Sequence, residues 1–298
     1  MSFADRVRGL PRLGIGVSTE YGAAGAPCAL DVFALSRSHP RFASFLEVGV
    51  EVSKGLDDDA QRWVAEGRPS TWHFLDVNLD DEADFDDEWL TSVRSGLLTM
   101  KPAWLCGDAG LWHFGRRDRS QMLLLPPILV DEGVLPFARG VQRLSTATGL
   151  EVLPENPPGT AFVGDLHILE FFARVCQAAD CGMLLDVAHL AMFQHMTGRS
   201  TFAGVDAADR RSGTAFPWER VVEVHVAGTS QRQIGSKGEE FSVVDDSHTA
   251  EVSAATWALF EYVVPRAPNL KAVVFECERN SNDAVIEGFE RIARTWKS

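Results

Sequence analysis

Histidine, aspartate and glutamate recur along this chain in short motifs with the right chemistry to bind cations. They are Glu47 with Glu51, His73, Asp108 with His113, Glu155-Asn156, Asp186-Val-Ala-His189, His225, Asp246-Ser-His248 and Glu276. Imidazole nitrogen and carboxylate oxygen suit hard or borderline divalent ions, and a carboxylate such as Glu155 can bridge two of them. The set contains no thiolate and fits iron, manganese or zinc. Each member also has a plainer reading. His73 and His225 lie in apolar runs where a lone histidine is usually a core residue, Asp186 fits a helix cap, and Glu155-Asn156-Pro-Pro fits a turn. Glu276 fits a partner for an arginine. Chance accidents would not deliver all of them to one place, and burying so many carboxylates together is costly without cations.

That common place follows from the elements around the motifs. Apolar runs of strand type occur at 12–17, 44–50, 70–75, 102–106, 150–153, 182–187, 221–226 and 271–275. Longer stretches with helical spacing separate them, including 131–147, 166–178, 251–264 and 283–295. Eightfold strand–helix alternation predicts an α/β fold of the (β/α)₈ TIM-barrel class, as one domain over residues 1–298. An open doubly wound sheet is the alternative, but Gly14-Ile-Gly16-Val-Ser-Thr-Glu20 is not a glycine-rich phosphate loop. In such a barrel, function sits at the C-terminal strand ends. Nearly every predicted strand brings a metal-capable side chain to that rim. The segment 229–244, with glycines at 235 and 238, reads as the longest loop insertion and a candidate lid.

Composition limits the partners. A formal net charge of −14 disfavours nucleic acid. No stretch approaches the ~20 apolar residues of a membrane helix, and the N-terminal residues lack a signal-peptide core, so no membrane partner and a cytoplasmic location are expected. Five cysteines, Cys28, Cys106, Cys176, Cys181 and Cys277, are scattered without CxxC spacing and read as reduced thiols. The acidic segment 76–88 reads as a solvated loop and helix start, or as a docking patch for a basic peptide. His39, His167 and His195 sit outside the constellation.

The motifs resemble the multinuclear non-haem iron-dependent oxidative enzymes, a former domain-of-unknown-function family on a xylose-isomerase-like barrel. The resemblance rests on Gly14-Ile-Gly16-Val, Phe45-Leu-Glu47-Val with Glu51, His73 and Leu153-Pro-Glu155-Asn156. It continues in Leu184-Leu-Asp186-Val-Ala-His189, Glu223-Val-His225-Val-Ala-Gly228, Asp246-Ser-His248 and Val274-Phe-Glu276-Cys-Glu278. It implies that Glu155, Asp186, His225 and Glu276 hold a central iron and carry the catalysis. It further implies a second iron at His73 with Glu155, and a third at His189, Asp246 and His248. Such enzymes use iron and dioxygen to modify residues, often cysteine, in ribosomally made precursor peptides, usually with a partner protein that recognises the leader. Glu47, Glu51 and Asn156 are then expected to contact substrate or orient ligands.

The chain departs from that pattern in three places. Tyr21 stands where members commonly have a histidine, and Asp108-Ala109-Gly110 replaces an Asp-His-Leu motif. Asp108 or His113 is the candidate replacement at that outer position. His189 replaces an asparagine and resembles the ligand set of the apurinic endonucleases, which use three zinc ions on the same barrel. A metal hydrolase of that kind, a sugar isomerase or epimerase, and an inactive binding scaffold are the alternative readings.

Overall fold

The computed structural model describes residues 1–19, 29–115, 123–202, 205, 216–236 and 240–297. Tyr21, Cys28 and Gly238 lie outside the described residues. Eight parallel strands close into a barrel: β1 (Gly14–Thr19), β2 (Phe45–Val50), β3 (Ser70–Phe74), β4 (Leu105–Asp108), β5 (Val152–Glu155), β6 (Met183–Asp186), β7 (Val221–Ile234) and β9 (Ala272–Glu276). The ring shuts where β7 pairs with both β6 and β9, and β9 with β1. The strands are almost wholly buried, because helices cover their outer faces and side chains fill the interior.

The helices in chain order are α1 (Phe3–Gly9), α2 (Val32–Ser38), α3 (Asp58–Ala65), α4 (Asp87–Met100), α5 (Asp131–Thr148), α6 (Ile168–Ala179), α7 (Val187–Thr197), α8 (Ala254–Val263) and α9 (Asn282–Thr295). No described helix is long and apolar enough to cross a membrane. Phe3 and Val7 of α1 plug the N-terminal end of the barrel, packing with Phe45, Trp104, Leu153 and Leu184. The lower interior is therefore mostly apolar, and polar side chains collect at the opposite end.

The strand ends differ from the sequence expectation in a way that matters for the site. β4 and β5 each run two residues beyond the apolar runs at 102–106 and 150–153, so Asp108 and Glu155 are strand residues in direct register. Parallel pairing continues through polar residues here because the backbone groups still find partners. The loop reading of 229–244 is also corrected. β7 extends to Ile234, and β8 (Phe241–Thr249) folds back on it as an antiparallel ribbon. Polar residues such as Gln231, Arg232 and Gln233 disguise this strand, because a two-stranded ribbon standing outside the core needs no buried face.

Gly228 is required where β7 leaves the barrel, since a Cβ there would collide with the Thr249 carbonyl. The acidic segment 76–88 is not a solvated loop throughout. Asp76 accepts from Val52 N and Trp89 Nε1, and Asp84 accepts from Asn78 N, so both are buried clamps of the β3–α4 turn. His167 does not sit within a helix but caps α6, its Nδ1 accepting from Leu169 N at 3.1 Å.

Two expectations follow. Gly228→Ala should cost about 1–3 kcal/mol in urea unfolding, as overpacking does, because Thr249 must retreat. Burial, helped by Arg199, depresses the His167 pKa to about 4. A depressed histidine binds fewer protons folded than unfolded, so its stabilisation is present above about pH 6.5 and is lost as pH falls toward 4. His167→Asn keeps a capping side chain and should abolish on the order of 2 kcal/mol of that acid sensitivity. Unfolding measured at pH 7 and pH 5 tests this, and equal losses in both proteins would refute it.

Candidate metal centre

Register brings the polar strand ends together. Asp108 pairs with Glu155, Asp186 with His225, and Ala227 with Glu276, so adjacent strands deliver their ligand-capable side chains to one level. Glu155 is the hub and is fully buried. Its Oε2 lies 2.9 Å from His73 Nε2, while its Oε1 lies 3.4 Å from His225 Nδ1 and 3.5 Å from His189 Nδ1.

Asp186 carries both of the roles its sequence position suggests. Its Oδ1 caps α7 by accepting from His189 N at 2.6 Å, and its Oδ2 is left facing the cluster. Asn156 holds that aspartate in place with a reciprocal pair of bonds: its Nδ2 donates to the Asp186 carbonyl and its Oδ1 accepts from Asp186 N. The Asn156 carbonyl also accepts from His189 Nδ1 at 2.9 Å, which turns Nε2 toward Asp246 Oδ2 at 3.3 Å.

The β7–β8 ribbon brings the last pieces. Asp246 and His248 stand at the end of β8, with His248 Nε2 3.0 Å from Asp246 Oδ2 and its backbone in the left-handed region at φ 50°. Glu276 Oε1 lies 3.3 Å from His225 Nδ1, and Glu276 Oε2 is 3.8 Å from His248 Nε2. Glu276 is thus directed at histidines and not at an arginine.

Among the described residues, four sets that include His73, His225 or Asp186 have ligand atoms within 4.8 Å of one another: His73, Asp108 and Glu155; Glu155, Asp186 and His225; Asp186, His189 and Glu276; and Glu47, His73 and His225. Glu155 and Asp186 are each shared by two sets, as bridging carboxylates are. Of the two candidates for the outer position, the structure seats Asp108 in the cluster. His113 is committed elsewhere, with Nε2 2.8 Å from Asp84 Oδ2 and Nδ1 donating to the Gly115 carbonyl. Glu51 lies at the rim, held by Lys54 at 2.6 Å and by the Ser53 hydroxyl.

The residues fit cations on a direct observation. Among the described residues, Asp108 Oδ1, Glu155 Oε1, Asp186 Oδ2, His225 Nδ1, Asp246 Oδ1 and Glu276 Oε2 are all buried and have no hydrogen-bond partner. Buried polar atoms are normally satisfied, and a convergent group of orphaned acceptors is what a coordination site leaves when described without its ions. Without cations the cluster must balance its charge with protons. Burial raises Asp108 to about 8, with the Glu155 charge adding to it. Burial pushes His73 down, but the Glu47 and Glu155 carboxylates override this and raise it to about 9. Burial likewise opposes the charged forms of His189, His225 and His248, yet neighbouring carboxylates lift all three well above the ordinary imidazole range. Glu155 and Glu276 resist burial and fall below the usual carboxylate range because histidines surround them.

A cavity of about 340 Å³ opens above the cluster. Trp112, Leu124 and Pro158 give it an apolar wall from the loops after β4 and β5, whereas Lys54 and Arg279 line it from the loops after β2 and β9. Two contributors escape the sequence reading as site residues. Glu278 accepts from His248 Nδ1 at 2.6 Å and from Ser18 Oγ, and Glu223 accepts from Trp104 Nε1 beneath His225. The available signal is spacing, since Glu223 and His225, like Glu276 and Glu278, lie two residues apart.

Comparison with known proteins agrees with this geometry. A UPF0276 protein of Anaeromyxobacter sp. is 25% identical over 208 residues, covering 69% of this chain and 67% of the relative. Among solved structures, endonuclease IV from Thermus thermophilus superposes with TM-score 0.54 at 17% identity, covering 96% of this chain and 98% of that one. A xylose isomerase domain containing protein from Salmonella typhimurium superposes with TM-score 0.51 at 11% identity, covering 96% and 97%. At such identities the two structures show the xylose-isomerase-like barrel and nothing about activity. The profile of one family runs through the whole arrangement, from residue 30 to residue 294, and by that match this chain belongs to the family of RiPP precursor modification enzymes MbnB/TglH/ChrH.

Proposed function

We propose that this protein is an iron- and dioxygen-dependent enzyme that oxidatively modifies a ribosomally made precursor peptide, at cysteine, in the cytoplasm, as one domain spanning residues 1–298. A separate partner protein that holds the leader completes the reading. The observation that carries it is the convergence of buried, orphaned ligand atoms beneath an open cavity in a family of peptide-modifying enzymes. Glu155, Asp186 and His225, with Glu276 beside His225, would hold the central iron; His73, Asp108 and Glu155 a second; and His189, Asp246 and His248, with Asp186 and Glu276 adjoining, a third. Bound iron would supply one-electron chemistry with dioxygen that no side chain here provides.

The chain's own residues do the rest. Asn156 fixes Asp186 through its amide, a constraint that keeps a ligand in one orientation. The apolar plug fills the barrel below the site, and among the described residues the cavity above it is the approach for substrate. Trp112, Leu124 and Pro158 offer a surface for an apolar stretch of peptide, and Lys54 and Arg279 keep positive charge at a mouth otherwise rich in carboxylates.

Anaerobic purification followed by elemental analysis and Mössbauer spectroscopy should find two or three coupled irons. Zinc alone, with no oxidative turnover, would favour the hydrolase reading. Glu155→Ala and His225→Ala should each reduce modification of a precursor-peptide substrate by more than about 100-fold, the upper end of what losing even a hydrogen-bond partner of a ligand costs. Full turnover in either variant would remove the proposal.

Cation uptake should also release protons. At pH 7 the raised histidines and Asp108 carry protons that a bound ion must displace. Calorimetry in two buffers of different ionisation enthalpy should therefore give different apparent heats, and affinity should climb as pH rises toward 9. By the same linkage, the raised His73 stabilises the metal-free fold most fully below about pH 6.5 and loses that contribution as pH rises through about 9. Buffer-independent heats would show that the histidines are not displaced.

A further inference from the structure

We propose that Glu47 is the positioning residue of the centre: it accepts a hydrogen bond from Nε2–H of His225, which holds the ring proton there and thereby presents Nδ1 of that ring to the cation. This rests on reading the cluster as a cation site. His225 is fully buried, and its two nitrogens face different surroundings. Nε2 lies 3.1 Å from Glu47 Oε2, a buried carboxylate that also reaches the floor of the cavity. Nδ1 has no hydrogen-bond partner among the described residues and sits 3.3 Å from Glu276 Oε1 and 3.4 Å from Glu155 Oε1.

A neutral imidazole has one N–H, so the nitrogen that coordinates is decided by where that proton is held. Glu47 is a carboxylate on the far nitrogen, and the two ring nitrogens point apart. It therefore cannot share the ion that Nδ1 approaches, although it lies close enough to His73 and His225 to resemble a ligand.

The carboxylate is itself held in place. Oε2 of Glu47 accepts from Cys106 Sγ at 3.2 Å and is approached by Thr71 Oγ1 at 3.5 Å. One step lower, Glu223 accepts from Trp104 Nε1 at 2.7 Å. Glu47, Cys106, Glu223 and Trp104 form a polar column in the part of the barrel interior that is otherwise apolar. A buried carboxylate in contact with a histidine whose other nitrogen meets the cluster fixes the orientation and tautomer of that ring and makes Nδ1 more basic.

Cobalt(II) loading provides a readout independent of turnover. In the loaded wild type, proton NMR should show a paramagnetically shifted, exchangeable N–H signal from His225 that is slow to exchange. Glu47→Ala should remove or rapidly broaden that signal and weaken cobalt binding in chelator competition by about 10- to 100-fold. Glu47→Gln keeps an acceptor oxygen and should retain the signal with a smaller loss of affinity. Trp104→Phe disturbs the same column without touching His225, so it should lower thermal stability and leave the signal in place. The proposal is overturned if Glu47→Ala retains both signal and affinity, or if Trp104→Phe weakens binding as much as Glu47→Ala does. A wild type that takes up no cobalt would remove both this proposal and the cation reading. A wild type that loads cobalt and responds to Glu47 but modifies no peptide would leave the positioning role standing and refute only the proposed activity.

Discussion

The structure depends on one electrostatic problem: carboxylates and imidazoles packed at one end of a closed barrel, beyond the reach of solvent screening. Glu155, Asp186 and His225 are fully buried within a few ångström of one another. Charges in such a setting must be compensated, since burying them unpaired costs several kcal/mol each. Protons do part of this without metal, which is why Asp108 rises and Glu155 falls around the same histidines. Cations would do it more completely, because they satisfy oxygen and nitrogen atoms that no hydrogen bond reaches.

The closed barrel is what makes this concentration possible. Each strand contributes one or two side chains, and parallel register places their ends at a common height. The helices that follow stiffen the same residues. Asp186 ends a strand and caps α7 in one step, so its free oxygen is aimed by the helix it starts. The ribbon of β7 and β8 adds what the barrel strands do not reach, swinging Asp246 and His248 over the cluster. Beneath, the apolar plug of α1 closes the opposite end of the barrel.

Much of this is legible in the order of residues alone. The eightfold alternation of apolar runs and helical stretches carries the fold, because strands buried on both faces must be continuously apolar. The motifs at the strand ends carry the candidate ligands, because few residue types bind divalent ions. Other features mislead for local reasons. Asp108 and Glu155 fall outside the apolar runs, so periodicity ends β4 and β5 too early. The polar sequence of the β7–β8 ribbon mimics a loop, since its pairing depends on backbone partners and not on a hydrophobic face. Asp76 and Asp84 look like solvated acids because spacing does not show that Asp76 accepts from Val52 N and Trp89 Nε1, or that Asp84 accepts from Asn78 N and meets His113.

Periodicity and residue chemistry, both local properties of the chain, are enough to determine a (β/α)₈ barrel and a rim of His, Asp and Glu. Only the tertiary structure decides that Asp108 joins the cluster while His113 turns away to Asp84, that Asp186 keeps one oxygen for a helix and one for the site, and that Glu47 faces the far side of His225. Those choices depend on which atoms meet across elements far apart in the chain. Side-chain orientation and the competition among hydrogen-bond partners are properties of the assembled interior, and spacing along the chain does not encode them.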